Sequence, residues 1–163
     1  MIMIEKVRES DFTELAELAD GIWHEFFPPI IGEAQTDYMV EHFQSYDAIV
    51  RQTSGENYFY YFIKSSGGEL AGYFAIAPNF PENGKLFLSK LYLKKSFRGQ
   101  HLASEVFCFL EKLPFRKIHL TVNRYNDGAV SLYRRRGFTV TETVDKDIGG
   151  GFFMNDYIME LDI

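Results

Sequence analysis

The chain is poor in cysteine and has no long apolar run, and each shortage excludes a class of protein. Cys108 is the only cysteine in 163 residues, so no internal disulfide can form and no Cys/His cluster has metal-ligand spacing. A reducing compartment and no metal are expected. No stretch reaches the ~20 consecutive apolar residues that a bilayer-crossing helix requires. Met1-Ile2-Met3-Ile4-Glu5 is too short for the apolar core of a signal peptide, and a cytoplasmic protein without a membrane partner is predicted. Neither the GxxxxGK[ST] phosphate loop nor the GxGxxG dinucleotide fingerprint occurs, which removes the main support for nucleoside triphosphates and nicotinamide cofactors. The formal charge of −6 argues against a nucleic-acid partner, because phosphate contacts need a basic surface.

What is present is an ordinary globular composition, 46% hydrophobic and 25% charged, on a length that predicts a single domain over residues 1–163. Aromatic residues reach 17%, with 16 Phe and 10 Tyr, more than one small core needs, so some are expected to line a pocket. Trp23, Phe26, Phe27, Tyr38, Phe80, Tyr125, Phe152 and Phe153 lie in segments suited to that. Charge is uneven: residues 94–136 hold ten Lys and Arg against three acids, a surplus of +7 inside an acidic chain. Such a segment suits a polyanionic small ligand, and the acidic remainder suits a cationic partner.

Phe12, Leu15, Leu18, Ala19, Ile22 and Trp23 follow the 3.6-residue period behind a cap at Ser10 or Asp11, predicting a helix that ends before Pro28. A second helix is predicted over 36–51. Strands follow over 58–63, 70–77 and 85–93, then a helix from about 99 to 113 and a strand over 117–122. A short helix from Asn126 through Arg136 is closed by Gly137 at C′. Strands over 138–145 and 152–161 complete the order α-α-β-β-β-α-β-α-β-β. The fold class is α/β (α+β) with a mixed sheet.

Two segments carry chemistry. The strand ending Leu91-Tyr92-Leu93 runs into Lys94-Lys95-Ser96-Phe97-Arg98-Gly99-Gln100-His101-Leu102-Ala103-Ser104. The first turn of a helix offers N–H groups without intrahelical partners, backed by the helix dipole, and a phosphate fits such an end. Gly99 permits close backbone approach, and Arg98 adds a full charge. The second segment, Asn126-Asp127-Gly128-Ala129-Val130-Ser131-Leu132-Tyr133-Arg134-Arg135-Arg136-Gly137-Phe138, opens with a capping Asn.

With both segments in this order, the sequence resembles the GNAT superfamily of N-acetyltransferases. The family pattern Arg/Gln-x-x-Gly-x-Gly/Ala, after a strand ending Leu-Tyr-Val, is matched by residues 98–103. Asn-x-x-Ala-x-x-Leu-Tyr-x-x-x-Gly-Phe is matched by Asn126, Ala129, Leu132, Tyr133, Gly137 and Phe138. One position departs: His101 stands where the pattern has glycine. A helical φ is expected for it, with its ring beside the pyrophosphate.

The resemblance implies a mostly antiparallel central sheet with helices on both faces, and acetyl-CoA as co-substrate. It implies pyrophosphate on the N–H groups of the turn, with Arg98, Gly99, Gln100, His101, Leu102, Ala103 and Ser104 as cofactor-binding residues and Asn126 beside them. Backbone groups of Leu91 and Leu93 would hold the pantetheine arm and stabilise the oxyanion. Tyr133 takes the position of the general acid to the leaving thiolate. His24, Glu25, Glu33 and Lys90 are the candidates for a base. The expected acceptor is a primary amine on a small molecule, peptide or protein terminus, and a homodimer is compatible with the family. The competing expectation is an acyl-CoA-binding sensor without turnover.

Overall fold

In a computed structural model describing residues 2–163, seven strands follow the sheet order β1-β2-β3-β4-β5-β7-β6. They are β1 (Met3–Lys6), β2 (Phe59–Lys64), β3 (Leu70–Pro78), β4 (Lys85–Leu93), β5 (Lys117–Asn123), β6 (Thr139–Gly149) and β7 (Phe152–Asp162). Six helices accompany them: α1 (Phe12–Phe26), α2 (Pro28–Ile31), α3 (Glu33–Met39), α4 (Tyr46–Gly55), α5 (Leu102–Glu111) and α6 (Asp127–Arg135). β1–β2, β2–β3, β5–β7 and β6–β7 pair antiparallel, and β4 pairs with β5 in parallel. The chain gathers into two compact units, one of residues 1–77 and 90–113, the other of 78–89 and 114–163.

In the first unit, β1, β2 and β3 pair in sequence. The alternation of a strand divides their side chains between two helices. Tyr60, Phe62, Tyr73 and Ala75 join Phe12, Leu15, Leu18, Ala19 and Ile22 of α1 in one core. Tyr61 and Phe74 stack at 4.9 Å on the other face, where Phe109 of α5 meets both rings. The six apolar positions predicted for the first helix are all buried.

The chain opens on β1 rather than on a helix. Four residues too short to show a pattern are held there by pairing with β2. The predicted helix over 36–51 is also two helices. After α3 the chain widens into a π-helical turn, Val40–Gln44, and Ser45 then caps α4 by accepting from Ala48 N at 3.2 Å. Lys90 meets the chain at this break: its buried Nζ donates to the Phe43 carbonyl, to Gln52 Oε1 at 3.1 Å and to Tyr60 Oη at 2.6 Å, while Gln52 Nε2 donates to the same carbonyl. The two donors satisfy a carbonyl that the helix end leaves without an intrahelical partner.

In the second unit, β5 pairs with β7 and β7 with β6. Ile118, Leu120, Val122 and Met159 are buried on one side. The final strands exceed the predicted spans, since the segment proposed as a loop at 146–151 is mostly strand apart from its turn. No helix among the described residues is long and apolar enough to cross a membrane, and no group of three His, Cys, Asp or Glu among them could hold a metal ion.

Candidate active site

β4 meets β3 at a close approach set by a missing side chain. A Cβ on Gly72 would lie 2.2 Å from the Tyr92 carbonyl oxygen. Lys94 N donates to Ala71 O at 2.8 Å. In an antiparallel pair the N–H and C=O of alternate residues face the partner strand. With Tyr92 and Lys94 facing β3, the N–H groups of Leu91 and Leu93 point to the opposite edge. The parallel ladder with β5 runs from Lys85↔Lys117 to Leu88↔Leu120 and stops, although β4 continues to Leu93. The N–H groups of Leu91 and Leu93 are therefore outside both ladders.

The basic turn follows. A short 3-10 turn at Lys95–Phe97 is held by Glu25, whose Oε1 accepts from Lys95 N at 2.7 Å. Arg98 folds back on the strand end, its guanidinium donating to Leu93 O at 3.2 and 3.3 Å and lying 4.0 Å above the Phe26 ring. Gln100 Nε2 donates to Ser96 O at 3.1 Å. These side chains shape the turn from within. Gly99 has φ +74° with open space where a Cβ would stand.

His101 takes φ +61°, the left-handed region, as the residue before α5. The expected helical φ is thus corrected, as is the helix start, which lies at Leu102 rather than near Gly99. The family's glycine at this position has a backbone reason: left-handed φ is nearly free for glycine and tolerable for histidine. The first intrahelical bond is Glu105 N to His101 O, at 3.3 Å. It leaves the N–H groups of Leu102, Ala103 and Ser104 outside the helical ladder, at the positive end of a ten-residue helix. This donor set, beside an open glycine, fits a pyrophosphate.

On α6, Asn126 Oδ1 accepts from Ala129 N at 3.4 Å, so the cap is real. The other end explains the spacing Tyr-x-x-x-Gly-Phe. Gly137 N donates to Arg134 O and Phe138 N to Tyr133 O, both at 3.0 Å, with Gly137 at φ +99°. This is a Schellman closure, and the apolar contact it favours is the Tyr133–Phe138 ring pair at 5.6 Å. Tyr133 is 8% exposed, and burial pushes its hydroxyl up to about 12.

Three of the four candidate bases are engaged by neighbouring groups. His24 is held by Asp37 at 2.5 Å and Asp20 at 2.9 Å, and the Asp37 hydrogen bond, then Asp20, raises its pKa toward the protonated form. Glu25 is committed to Lys95 N, and Glu33 stands in the first turn of α3. Lys90 is 5% exposed, and burial drives its pKa well down, but its nitrogen is fully engaged inside the first unit. Asp156 on β7, a buried acid that the sequence did not single out, faces Asn123 across the β5–β7 ladder.

Residues 15–138 match the model of the acetyltransferase (GNAT) family. The chain belongs to that family. No curated protein matches it. Among solved structures it is similar to the PaiA N-acetyltransferase of Thermoplasma acidophilum in complex with coenzyme A, at 23% identity and TM-score 0.74, over 100% of this chain and 99% of that one. A GCN5-related N-acetyltransferase of Rhodopseudomonas palustris aligns with TM-score 0.80 at 13% identity, covering 99% and 95% of the two chains. The spermidine/spermine N-acetyltransferase of Vibrio cholerae aligns with TM-score 0.68 at 13% identity, over 99% and 93%. At these identities the likeness is one of fold.

Proposed function

We propose that the chain, as a single acetyltransferase domain, moves the acetyl group of acetyl-CoA to a primary amine by direct attack. The observation that carries this reading is the pair of N–H groups at Leu91 and Leu93, outside both strand ladders and immediately before the anion-binding turn. Acetyl-CoA supplies an acyl thioester. Leu102, Ala103 and Ser104 offer N–H groups to its pyrophosphate, with Gly99 allowing close approach, and Arg98, Gln100 and His101 shape the turn. Leu91 and Leu93 donate to the oxygen that gains charge as the amine attacks.

Tyr133 gives the departing sulfur its proton. A phenol raised to about 12 is protonated at neutral pH. Asn126 caps the helix that carries it. A binding measurement tests the turn: Gly99→Asp places a carboxylate against the pyrophosphate and should weaken coenzyme A binding at least tenfold in calorimetry. Unchanged affinity would remove the turn from the site.

A further inference from the structure

β6 closes one end of the sheet: it pairs with β7 on one side, and among the described residues no strand lies on the other. Residues 142–147 keep one regular register against β7, from Glu142↔Ile158 to Asp147↔Phe153, between a shift at either end. Which backbone groups face outward follows from a single bond. Arg124 N donates to Asn155 O at 3.0 Å, one step past the Asn123↔Asp156 pair of β5 with β7. Backbone groups in an antiparallel ladder alternate between the two sides of a strand, so those of Asn155 face β5 and those of Asp156 face β6. Asp156 lies opposite Val144. The N–H and C=O of Val144 therefore face β7, and those of Thr143 and Asp145 point away from it.

The side chains along this edge are exposed at Glu142, Thr143, Asp145 and Lys146, and half-buried at Val144. Asp145 is answered by Arg124 and by Asn155, each at 2.7 Å. Among the described residues no ion pair engages Glu142 or Lys146. These two opposite charges stand at equal distances on either side of Val144 and on the same face of the strand.

We propose that the β6 edge pairs antiparallel with the β6 edge of a second copy of this chain, about a two-fold axis at Val144. In that register the outward groups of Thr143 meet those of Asp145 of the second copy, as a hydrogen-bonded antiparallel ladder requires. Glu142 lies opposite Lys146 of the second copy, and two-fold symmetry repeats the pair. Val144 meets itself. The neighbouring registers lack this match. An axis at Thr143 sets both charges opposite valines, and an axis at Asp145 sets that carboxylate against itself. Sheet edges are guarded by proline, bulges or repelling charges. Over 142–147 β6 has neither proline nor register shift, and its charges attract a second copy. The edge alone is smaller than the ~1,200 Å² and more of a stable interface, so the dimer is weak, reversible and favoured by low salt.

The test is sedimentation velocity of the full chain at low salt, from about 1 μM to about 1 mM, the range of a weak interface. Wild type should pass from monomer to dimer. Glu142→Lys and Lys146→Glu each set like charges opposite one another and should stay monomeric throughout. An equimolar mixture of these two variants makes the edges complementary again and should recover the dimer, as should the double variant. Recovery on mixing also shows that both variant chains are folded. A wild type that stays monomeric, single variants that dimerise as wild type does, or a mixture that stays monomeric would each overturn the proposal.

Discussion

At the scale of single residues, Asp156 and His101 each hold a conformation or charge state that costs stability. Burial raises the Asp156 carboxyl to about 6, above the ordinary ~3.9 of an unfolded chain. The folded state therefore binds this proton more tightly, and its stability falls as pH rises through 6, by on the order of 3 kcal/mol at neutral pH relative to about pH 4. Asp156→Asn should accordingly raise the melting temperature at pH 7.5 and leave it little changed near pH 4, as calorimetry would record. His101 at φ +61° makes a second case. His101→Ala should be less stable than His101→Gly by about 1 kcal/mol in urea denaturation, because only glycine adopts that backbone without cost. Equal midpoints would contradict the left-handed turn.

Elements show why some of this was legible in the sequence and some was not. α1 was legible because one repeated period puts Phe12, Leu15, Leu18 and Ile22 on a single buried face. α6 was legible because Asn126 and Gly137 are end signals with local chemistry. β1 and the π-helical turn were not. Four strand residues gain their shape from β2, and the turn is held by Lys90, which lies 47 residues from the carbonyl it binds. The glycine at position 72, within a nine-residue strand, marked the close approach to Tyr92. Gly72→Ala forces a Cβ onto that carbonyl and should lower stability by about 1–3 kcal/mol. It should also impair acetyl transfer, because the displaced backbone carries Leu91 and Leu93. Wild-type melting and kinetics in this variant would show that β3 does not set the strand.

For the whole molecule, the family match over residues 15–138 and the alignment of solved structures along the full chain agree with the family resemblance read from the two motifs. The two motifs were legible as patterns because each encodes backbone geometry: unpaired N–H groups at a helix start, and a Schellman closure that fixes Tyr133. The burial of Asp156 was not legible, since it arises from the pairing of β7 with β5 and β6. The most direct measurement is thiol release from acetyl-CoA with a panel of primary amines, comparing wild type with Tyr133→Phe, which keeps the ring against Phe138 and removes only the hydroxyl. The account predicts turnover by wild type and a kcat at least 100-fold lower in the variant, at unchanged coenzyme A affinity. Coenzyme A binding with no thiol release for any amine, and no difference between the two proteins, would contradict it and mark the chain as a sensor of acyl-CoA.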